Sequence, residues 1–429
     1  MRALRSVLTL GLICITLCLA FEPRAEEGSN DDTVNPVPVF RDDILYELGI
    51  FADAVTLIDA NYVRKVSPKE LISSALDGMV SSLDSHSEFL SYEQHMKLQA
   101  DSMGEFGGLG IKVAIRDKVL TVISPLEATP AQKSGILPGD RIIKINDKTT
   151  EGFGLDDAVD LLRGRPGTLV KLTIVRGPER DIKEFTLKRA IIKVQSVRYS
   201  LIAGEDIGYI RIADFQRHTP SDLNKAMRYF IKNRIKALIL DLRGNPGGLM
   251  EASIMVCERF IKKPGVIVST KGRFEGQNAV FRSRASRVYE GFPVAVIINE
   301  GSASASEIVA AALRDNKRAV IVGSKSFGKG SVQTVMPLKD NSAVRLTTSY
   351  YYTPSGRIIH EKGILPDIIT PREEAVLGTD NEEEAKEVLT PEQVLLRDAD
   401  ILESINLLND RGRYESLLLG YPLETGGSG

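Results

Sequence analysis

The stretch Asn299–Ile308 reads Asn-Glu-Gly-Ser-Ala-Ser-Ala-Ser-Glu-Ile, and Gly323–Gln333 reads Gly-Ser-Lys-Ser-Phe-Gly-Lys-Gly-Ser-Val-Gln. Before the serines, Val294–Ile298 is uncharged and mostly β-branched, which predicts a buried strand. After Ser304, apolar residues recur at helical spacing. The serines therefore lie where a strand turns into a helix, a place where free backbone N–H groups can bind an oxyanion.

A lysine-containing loop follows the next predicted strand, Ala319–Val322, so a Ser–Lys pair is one interpretation of this stretch. Lysine serves as a base when burial lowers its pKa from about 10.4 toward ~7–8. Lys329 fits this better than Lys325, because Phe327 and glycines surround Lys329 while serines flank Lys325. The spacing leaves three serines open as the nucleophile: Ser302, Ser304 and Ser306. Distance in sequence also excludes none of four histidines as the base: His86, His95, His218 and His360.

A P-loop is the competing interpretation of the same loop. Gly323, Gly328 and Lys329 match the pattern Gly-x-x-x-x-Gly-Lys, but Gly330 stands where the magnesium-binding Ser or Thr belongs. The residues that follow are β-like, whereas a P-loop must open a helix onto the phosphate. A P-loop nucleotidase is therefore disfavoured.

Composition and charge describe an ordinary globular protein. The 429 residues suggest two or three domains, and contents of 43% hydrophobic and 26% charged residues are typical of such proteins. A net charge of −2 argues against nucleic acid or anionic lipid as the main partner.

The N-terminus predicts export. Two arginines precede an apolar run, Val7–Phe21, and small residues follow, with cleavage expected after Ala20 or Ala25. The run is too short for a membrane span, so residues 1–25 are predicted to be a signal peptide, with an uncleaved anchor as the alternative. Cleavage would leave Cys257 as the one remaining cysteine. Export without disulfides predicts the periplasm or bacterial cell envelope.

The residues after the predicted signal peptide divide into segments of different pattern. The turn Asp84–Ser87 interrupts a helical region, and we interpret it as a turn held by side-chain to backbone hydrogen bonds rather than as a catalytic Asp–His pair. The predicted segments are a flexible leader at 26–40, a helical segment at 41–102, a PDZ domain at 103–190, an α/β core at 191–372, and an acidic linker with a helical extension at 373–429.

The PDZ prediction rests on two glycine patterns. A Gly-rich loop, Gly104–Gly110, runs into an apolar strand, and Gly135–Asp140 reads Gly-Ile-Leu-Pro-Gly-Asp. Both resemble PDZ domains, and the resemblance implies that a peptide carboxylate binds at Gly108, Leu109, Gly110 and Ile111. Arg163 after the domain's helix is either a solvated helix end or a contact that couples the PDZ domain to the core.

From Ile207 onward the chain alternates strands and helices. The continuous apolar run Ala237–Leu240 is typical of a parallel sheet, whose active groups lie at the carboxyl ends of the strands. It leads into Gly247 and Gly248, which permit close approach of a ligand to the backbone. One N–H there could complete an oxyanion hole with the N–H of Ala305, although a plain tight turn fits equally well.

Four motifs together resemble the carboxyl-terminal processing (tail-specific) peptidases over roughly residues 40–370. They are Gly301–Ile308, Phe327–Gly330, Asp241–Gly248 and Tyr352–Arg357. The resemblance implies a crotonase/ClpP-like βαβ protease core with an inserted PDZ domain. It also implies Ser304 as nucleophile, Lys329 as base and Gln333 as the residue that orients the lysine. Ser85 departs from the proline usual in the family, outside the catalytic motifs.

The resulting hypothesis is an exported serine endopeptidase that recognises C-terminal tails through its PDZ domain. Its expected partners are proteins with apolar C-terminal tails, an activating adaptor and a second copy of the chain, without nucleic acid. No metal or other cofactor is expected. A non-catalytic PDZ adaptor is the alternative, besides the P-loop nucleotidase.

Overall fold

The computed structural model describes residues 42–177, 179–202, 206–370 and 398–420. The predicted signal peptide, leader, acidic linker and C-terminal Gly-Gly-Ser-Gly lie outside these residues. The chain divides into two compact units, one ending at Pro68 and the other beginning at Lys69. None of the helices in the described ranges combines the length and apolar character needed to cross a membrane.

The first unit is built on helix α1 (Asp42–Asn61). The helix forms as predicted, but the apolar stripe that its sequence spacing predicts is largely exposed: Leu45 is 53% accessible and Leu48 is 48% accessible. The stripe consists of Leu45, Leu48, Phe51, Ala52 and Val55. Of the residues predicted to share that stripe, Val55 alone is partly buried in the described unit.

The second unit opens with α2 (Pro68–Ser81), β1 (Glu88–Leu90) and α3 (Tyr92–Met103). The turn before β1 is held as predicted, because the Asp84 carboxylate accepts hydrogen bonds from the N–H groups of His86 and Ser87, both at 2.7 Å. Strand β1 breaks the helical pattern expected up to Leu98.

The PDZ domain is a small sheet structure with two short helices. Its elements are β2 (Glu105–Gly108), β3 (Ile111–Arg116), β4 (Val119–Pro125), α4 (Pro130–Lys133), β5 (Arg141–Ile145), β6 (Lys148–Thr149), α5 (Leu155–Leu162), β7 (Leu169–Arg176), β8 (Asp181–Lys188) and β9 (Ala190–Lys193). The prediction of a loop over Gly104–Gly110 was wrong for its middle, because β2 pairs with β9 in an antiparallel ladder. A strand of this kind can contain glycines because its ladder uses only backbone groups.

The α/β core is a six-stranded sheet in the order β10-β11-β12-β15-β16-β19, parallel except for β10. Its strands are β10 (Val197–Ile202), β11 (Ile207–Ile212), β12 (Ala237–Asp241), β15 (Val294–Ile298), β16 (Val320–Gly323) and β19 (Ile368–Ile369). Its helices are α6 (Thr219–Lys232), α7 (Met250–Cys257), α8 (Ala305–Asp315), α9 (Ala399–Asn409) and α10 (Arg411–Leu419). Helices α6, α7 and α8 cover one face, and α9 and α10 cover the other. Both faces of the sheet are therefore buried, as expected for strands with continuous apolar residues.

A second sheet lies beside the first and carries the end of the lysine loop. Its strands are β13 (Val266–Gly272), β14 (Ala279–Arg282), β17 (Ser331–Pro337) and β18 (Ala343–Tyr352), with β1 paired to the start of β18. The register of β17 against β18 shifts between Val332 and Gln333. This bulge interrupts the alternation of side chains along β17 beside Gln333.

A buried ionic network ties the C-terminal helices to the loop after β12. Arg243 binds the fully buried carboxylate of Asp241 at 2.8 Å and also Asp398 and Asp400, both at 2.8 Å. The Tyr209 hydroxyl donates to the same Asp241 carboxylate. Because several donors share the buried acid, the network satisfies charges that would be costly if left alone.

Candidate active site

The serine segment lies between β15 and α8, as the sequence predicted. Ser304 is the residue immediately before α8, and its backbone has φ 53° and ψ −111°. A positive φ is uncommon for a residue with a side chain and marks a sharp turn. The turn presents the Ser304 side chain at the carboxyl end of a parallel strand, where ligands bind in such sheets.

The three serines of the segment have different surroundings. The Ser302 hydroxyl is fully buried and donates to the Leu242 carbonyl, while the Ser306 hydroxyl is fully buried and donates to the Asn245 carbonyl. Ser304 is partly exposed, and its hydroxyl has no hydrogen-bond partner among the residues that the structure describes. Ser304 is therefore the one of the three whose hydroxyl a substrate can reach.

A buried carboxylate joins the serine turn to the lysine loop. Glu307 is fully buried, and its Oε2 accepts from the N–H of Ser304 at 2.8 Å and from the N–H of Lys329 at 2.9 Å. Its Oε1 accepts from the N–H of Gly328 at 2.7 Å and from the Ser326 hydroxyl at 2.5 Å. Two segments separated by a whole strand are thus fixed to a single side chain.

Burial of Glu307 raises the pKa of its carboxyl group above the usual range, while the four hydrogen bonds lower it. Since four donors face the group, only the ionised form accepts all of them. Sequence reasoning missed this residue, although Ser-x-x-Glu at a predicted helix start is the capping-box signature that could have found it.

Lys329 is partly buried on the loop between β16 and β17. Burial lowers the pKa of its ammonium group, and the positive charge of Arg345 lowers it further, while Glu88 opposes the change. The ammonium forms neither a hydrogen bond nor an ion pair within the described chain, and it is not bonded to the Ser304 hydroxyl in this conformation. Lys325 is exposed. The environment needed for a lysine base therefore surrounds Lys329.

Gln333 lies on β17 directly opposite Thr347 of β18. Its Nε2 donates to the Ser331 hydroxyl at 2.8 Å and lies 3.4 Å from the Thr347 hydroxyl. The amide oxygen is the end of the side chain that remains available to an ammonium donor.

The four candidate histidines make no hydrogen bond to the serine segment in the part of the chain described. His95 contacts the Asn341 carbonyl, and His218 contacts the Val194 carbonyl. Burial lowers the pKa of His86, the charges of Lys329 and His360 lower it further, and Asp84 opposes them. His86 is thus electrostatically coupled to the lysine without being bonded to the nucleophile.

Gly247 packs directly against the turn that contains Ser304. A Cβ atom at Gly247 would lie 2.9 Å from the Cβ of Ser304 and 3.1 Å from the N of Ala305, so only glycine fits. The Ala305 N–H has no acceptor among the described residues, as the predicted oxyanion role requires. The Gly247 N–H, however, donates to Asn245 Oδ1 at 2.9 Å. Its predicted role therefore requires that bond to break when substrate binds.

The predicted peptide site of the PDZ domain forms a groove of about 120 Å³. The residues that line it are Phe106, Gly108, Leu109, Gly110, Ile111, Val113, Val159, Leu162 and Arg163. The Arg163 guanidinium lies 4.4 Å from the centroid of the Phe106 ring and 3.3 Å from the Asp101 carboxylate of α3. Arg163 is therefore not simply a solvated helix end, because it joins the groove to the helix that leads into the PDZ domain.

No group of three or more His, Cys, Asp or Glu side chains within the described ranges is arranged to hold a metal ion. The side chains that the sequence predicts for the site are a hydroxyl, an amine of lowered pKa and an amide. Such a set is suited to nucleophilic attack on a carbonyl followed by hydrolysis.

Comparisons with known proteins bear on the family of this chain. Residues 206–370 match the model of peptidase family S41, and residues 121–176 match a PDZ domain. The carboxy-terminal-processing protease of Bartonella bacilliformis is 44% identical over 328 residues, which cover 75% of each protein. CtpA of Bacillus subtilis, named a carboxy-terminal processing protease, is 38% identical over 312 residues, or 72% of this chain and 66% of that protein.

A solved structure of a photosystem II D1 C-terminal processing protease also aligns, with 26% identity and a TM-score of 0.47, covering 86% of this chain and 98% of that one. The relationship itself rests on the sequence relatives. Identity of 44% across three quarters of both proteins, with the family model over the α/β core, shows that this chain belongs to the carboxyl-terminal processing serine proteases of peptidase family S41.

Proposed function

We propose that this protease hydrolyses peptide bonds with a Ser304–Lys329 dyad and that Gln333 orients the lysine. The observation that carries the proposal is the Glu307 carboxylate, which binds the backbone N–H groups of Ser304 and Lys329 through a single oxygen atom. The nucleophile and its base are thereby held on adjacent backbone segments, as a dyad requires.

The reaction begins when the neutral Lys329 amine removes the proton of the Ser304 hydroxyl as its oxygen attacks the scissile carbonyl. The C–N bond then breaks, and the lysine ammonium gives its proton to the departing amine. This leaves an ester between Ser304 and the acyl part of the substrate. A water molecule, deprotonated by the same lysine, attacks the ester and restores the free serine.

The negative charge that develops on the carbonyl oxygen needs backbone donors. Ala305 supplies one from the first residue of α8, where the helix dipole adds to its effect. The second is proposed to be the Gly247 N–H after release from Asn245. Removal of one oxyanion-hole donor in other enzymes costs about 10²–10³ in kcat, so this rearrangement would matter for the rate.

The substrates are proposed to be exported proteins with apolar C-terminal tails, held by the PDZ groove through the terminal carboxylate. Export is supported by the N-terminal sequence alone. An activating adaptor and self-association stay predictions. The exposed apolar side chains of α1 are a surface that a second copy of the chain could cover. Measuring the mass of the protein in solution tests for self-association.

The proposal is tested by incubating the protein with an unstructured protein that ends in an apolar tail, then with a fluorophosphonate that labels activated serines. We expect cleavage of the substrate and modification of Ser304, located by peptide mass spectrometry. Ser302 and Ser306 act as internal controls on the same peptide. Modification of either one instead of Ser304, in active protein, would overturn the assignment.

We further propose that Arg163, which lines the PDZ groove, pairs with the terminal carboxylate of a bound tail. Arg163→Ala removes a cation from the groove, so kcat/KM for a peptide with a free C-terminal carboxylate should fall about tenfold, the usual effect of losing one charge-assisted contact. The same peptide with an amidated C-terminus should be cleaved equally slowly by wild type and variant. Arg165→Ala, two residues away and exposed, is the matched control. Equal rates for wild type and Arg163→Ala on the free-carboxylate peptide would contradict the prediction.

A further inference from the structure

Two hydroxyl groups lie against one end of the Gln333 side-chain amide. Both Ser331 and Thr347 lie against the Nε2 end of the side chain, at 2.8 and 3.4 Å. An ammonium group has three donors and no acceptor, so the proposed role of Gln333 needs an amide oxygen at the end that meets Lys329. With Nε2 held by the two hydroxyl groups, the oxygen is the end left free for that role.

Thr347 is itself held from the opposite side, by the turn Asp84–Ser87. Its backbone N–H donates to the Ser87 hydroxyl at 3.1 Å, and that hydroxyl donates to the Asp84 carboxylate at 3.0 Å. Burial raises the pKa of the Asp84 carboxyl group, but hydrogen bonds from His86 and Ser87, together with the nearby Thr347 hydroxyl, lower it below its ordinary value. The Thr347 hydroxyl therefore lies between a carboxylate and the Gln333 amide.

The contacts follow from strand pairing rather than from chance proximity. The turn runs directly into β1, which pairs with β18 at Ala343–Arg345. Thr347 lies two residues further along the same strand and faces Gln333 on β17 across the ladder. The turn that leads into β1 and the strand β17 thus both lie next to Thr347 of β18.

We infer that Thr347 is a positioning residue, whose hydroxyl links the Asp84–Ser87 turn to Gln333 and keeps the amide oxygen turned toward Lys329. This inference rests on the proposed function of Gln333. The Asp84–Ser87 turn, which the sequence predicted to be structural only, then also helps to align Lys329. The threonine touches neither substrate nor the reacting atoms.

The test compares Thr347→Val with Thr348→Val. Valine has the shape of threonine, so each variant loses one hydroxyl from β18. The Thr348 hydroxyl instead contacts Thr334, at 2.8 Å. For Thr347→Val we expect kcat to fall about tenfold with KM unchanged, the size of one lost hydrogen bond, and fluorophosphonate labelling of Ser304 to slow by the same factor. Thr348→Val and Thr347→Ser should both keep the wild-type kcat.

A double-variant cycle shows whether the effect passes through the amide. If Thr347 acts through Gln333, the variant Thr347→Val/Gln333→Leu should be no slower than Gln333→Leu alone. Independent, multiplying losses would overturn the inference, as would a Thr347→Val enzyme with wild-type kcat or a Thr347→Ser enzyme as slow as Thr347→Val. If Gln333→Leu itself keeps the wild-type kcat, the proposed role of Gln333 is wrong, and the inference that depends on it falls for that separate reason.

Discussion

Lys329→Met is expected to lower kcat/KM for an unstructured, tailed substrate by about 10³-fold, within the range that general-base catalysis contributes. Methionine keeps much of the apolar stem but has no group that can accept the Ser304 proton. The Lys329 N–H that binds Glu307 belongs to the backbone, so the loop should keep its position. Steady-state cleavage, with thermal unfolding as a check on folding, measures the effect.

The same lysine should set the pH dependence of the wild-type enzyme. Since only the neutral amine removes a proton, kcat/KM should rise with pH through the pKa of Lys329 and level off above it. Burial and Arg345 lower that pKa, so the rise should occur below the range of an ordinary lysine. The residual activity of Lys329→Met should lack the rise.

Lys325→Met is the matched control for this prediction. Lys325 lies in the same loop, carries the same charge and is exposed. The Lys325→Met enzyme should therefore keep both the wild-type rate and the wild-type pH profile. Full activity of Lys329→Met would contradict the dyad and would return attention to His86 and His360, which share the electrostatic surroundings of the lysine.

Glu307→Gln is expected to destabilise the protein and to inactivate it. The carboxylate accepts from four donors in a fully buried place. An amide replaces one acceptor by a donor, so at least one backbone N–H of this cluster would face an NH₂ group. Buried donors left without acceptors cost about 1–3 kcal/mol each, so the free energy of unfolding should fall by about 3 kcal/mol. A displaced dyad should lower kcat/KM by about 10²-fold as well.

Thermal unfolding and steady-state cleavage measure these two effects. Glu251→Gln is the control, because Glu251 lies in the first turn of α7 and is exposed, so the chemical change and the position at a helix start are the same. A Glu307→Gln protein with the unfolding midpoint and rate of Glu251→Gln would show that the carboxylate does not hold the site together.

The sequence predicted the elements around the site well because their signals are local. Strand β15 is a run of uncharged, mostly β-branched residues, and α8 begins directly after Ser304, as the helical spacing indicated. The family and the presence of a PDZ domain were also predicted, from motifs of several residues each, and the comparisons confirm them.

Most of the features that sequence reasoning missed depend on distant residues. Nothing near Glu307 in the sequence shows that Lys329 binds it, since the two meet only after β16 returns the chain to the same edge of the sheet. The link from Asp84 through Thr347 to Gln333 spans two neighbouring strands in the same way. One missed feature is local: the Gly247 N–H donates to Asn245 Oδ1, and the pattern of residue types does not reveal this bond.

At position 304, folding stability and the proposed activity favour different residues. The Ser304 φ of 53° is a conformation that glycine adopts without cost and that other residues adopt unfavourably. A search for heat-resistant variants would therefore favour glycine there and would discard the nucleophile with the strain. Threonine would keep a hydroxyl, but its branched Cβ fits that φ still less well. Selection for stability alone would therefore favour replacement of Ser304, and the proposed activity would disappear with it.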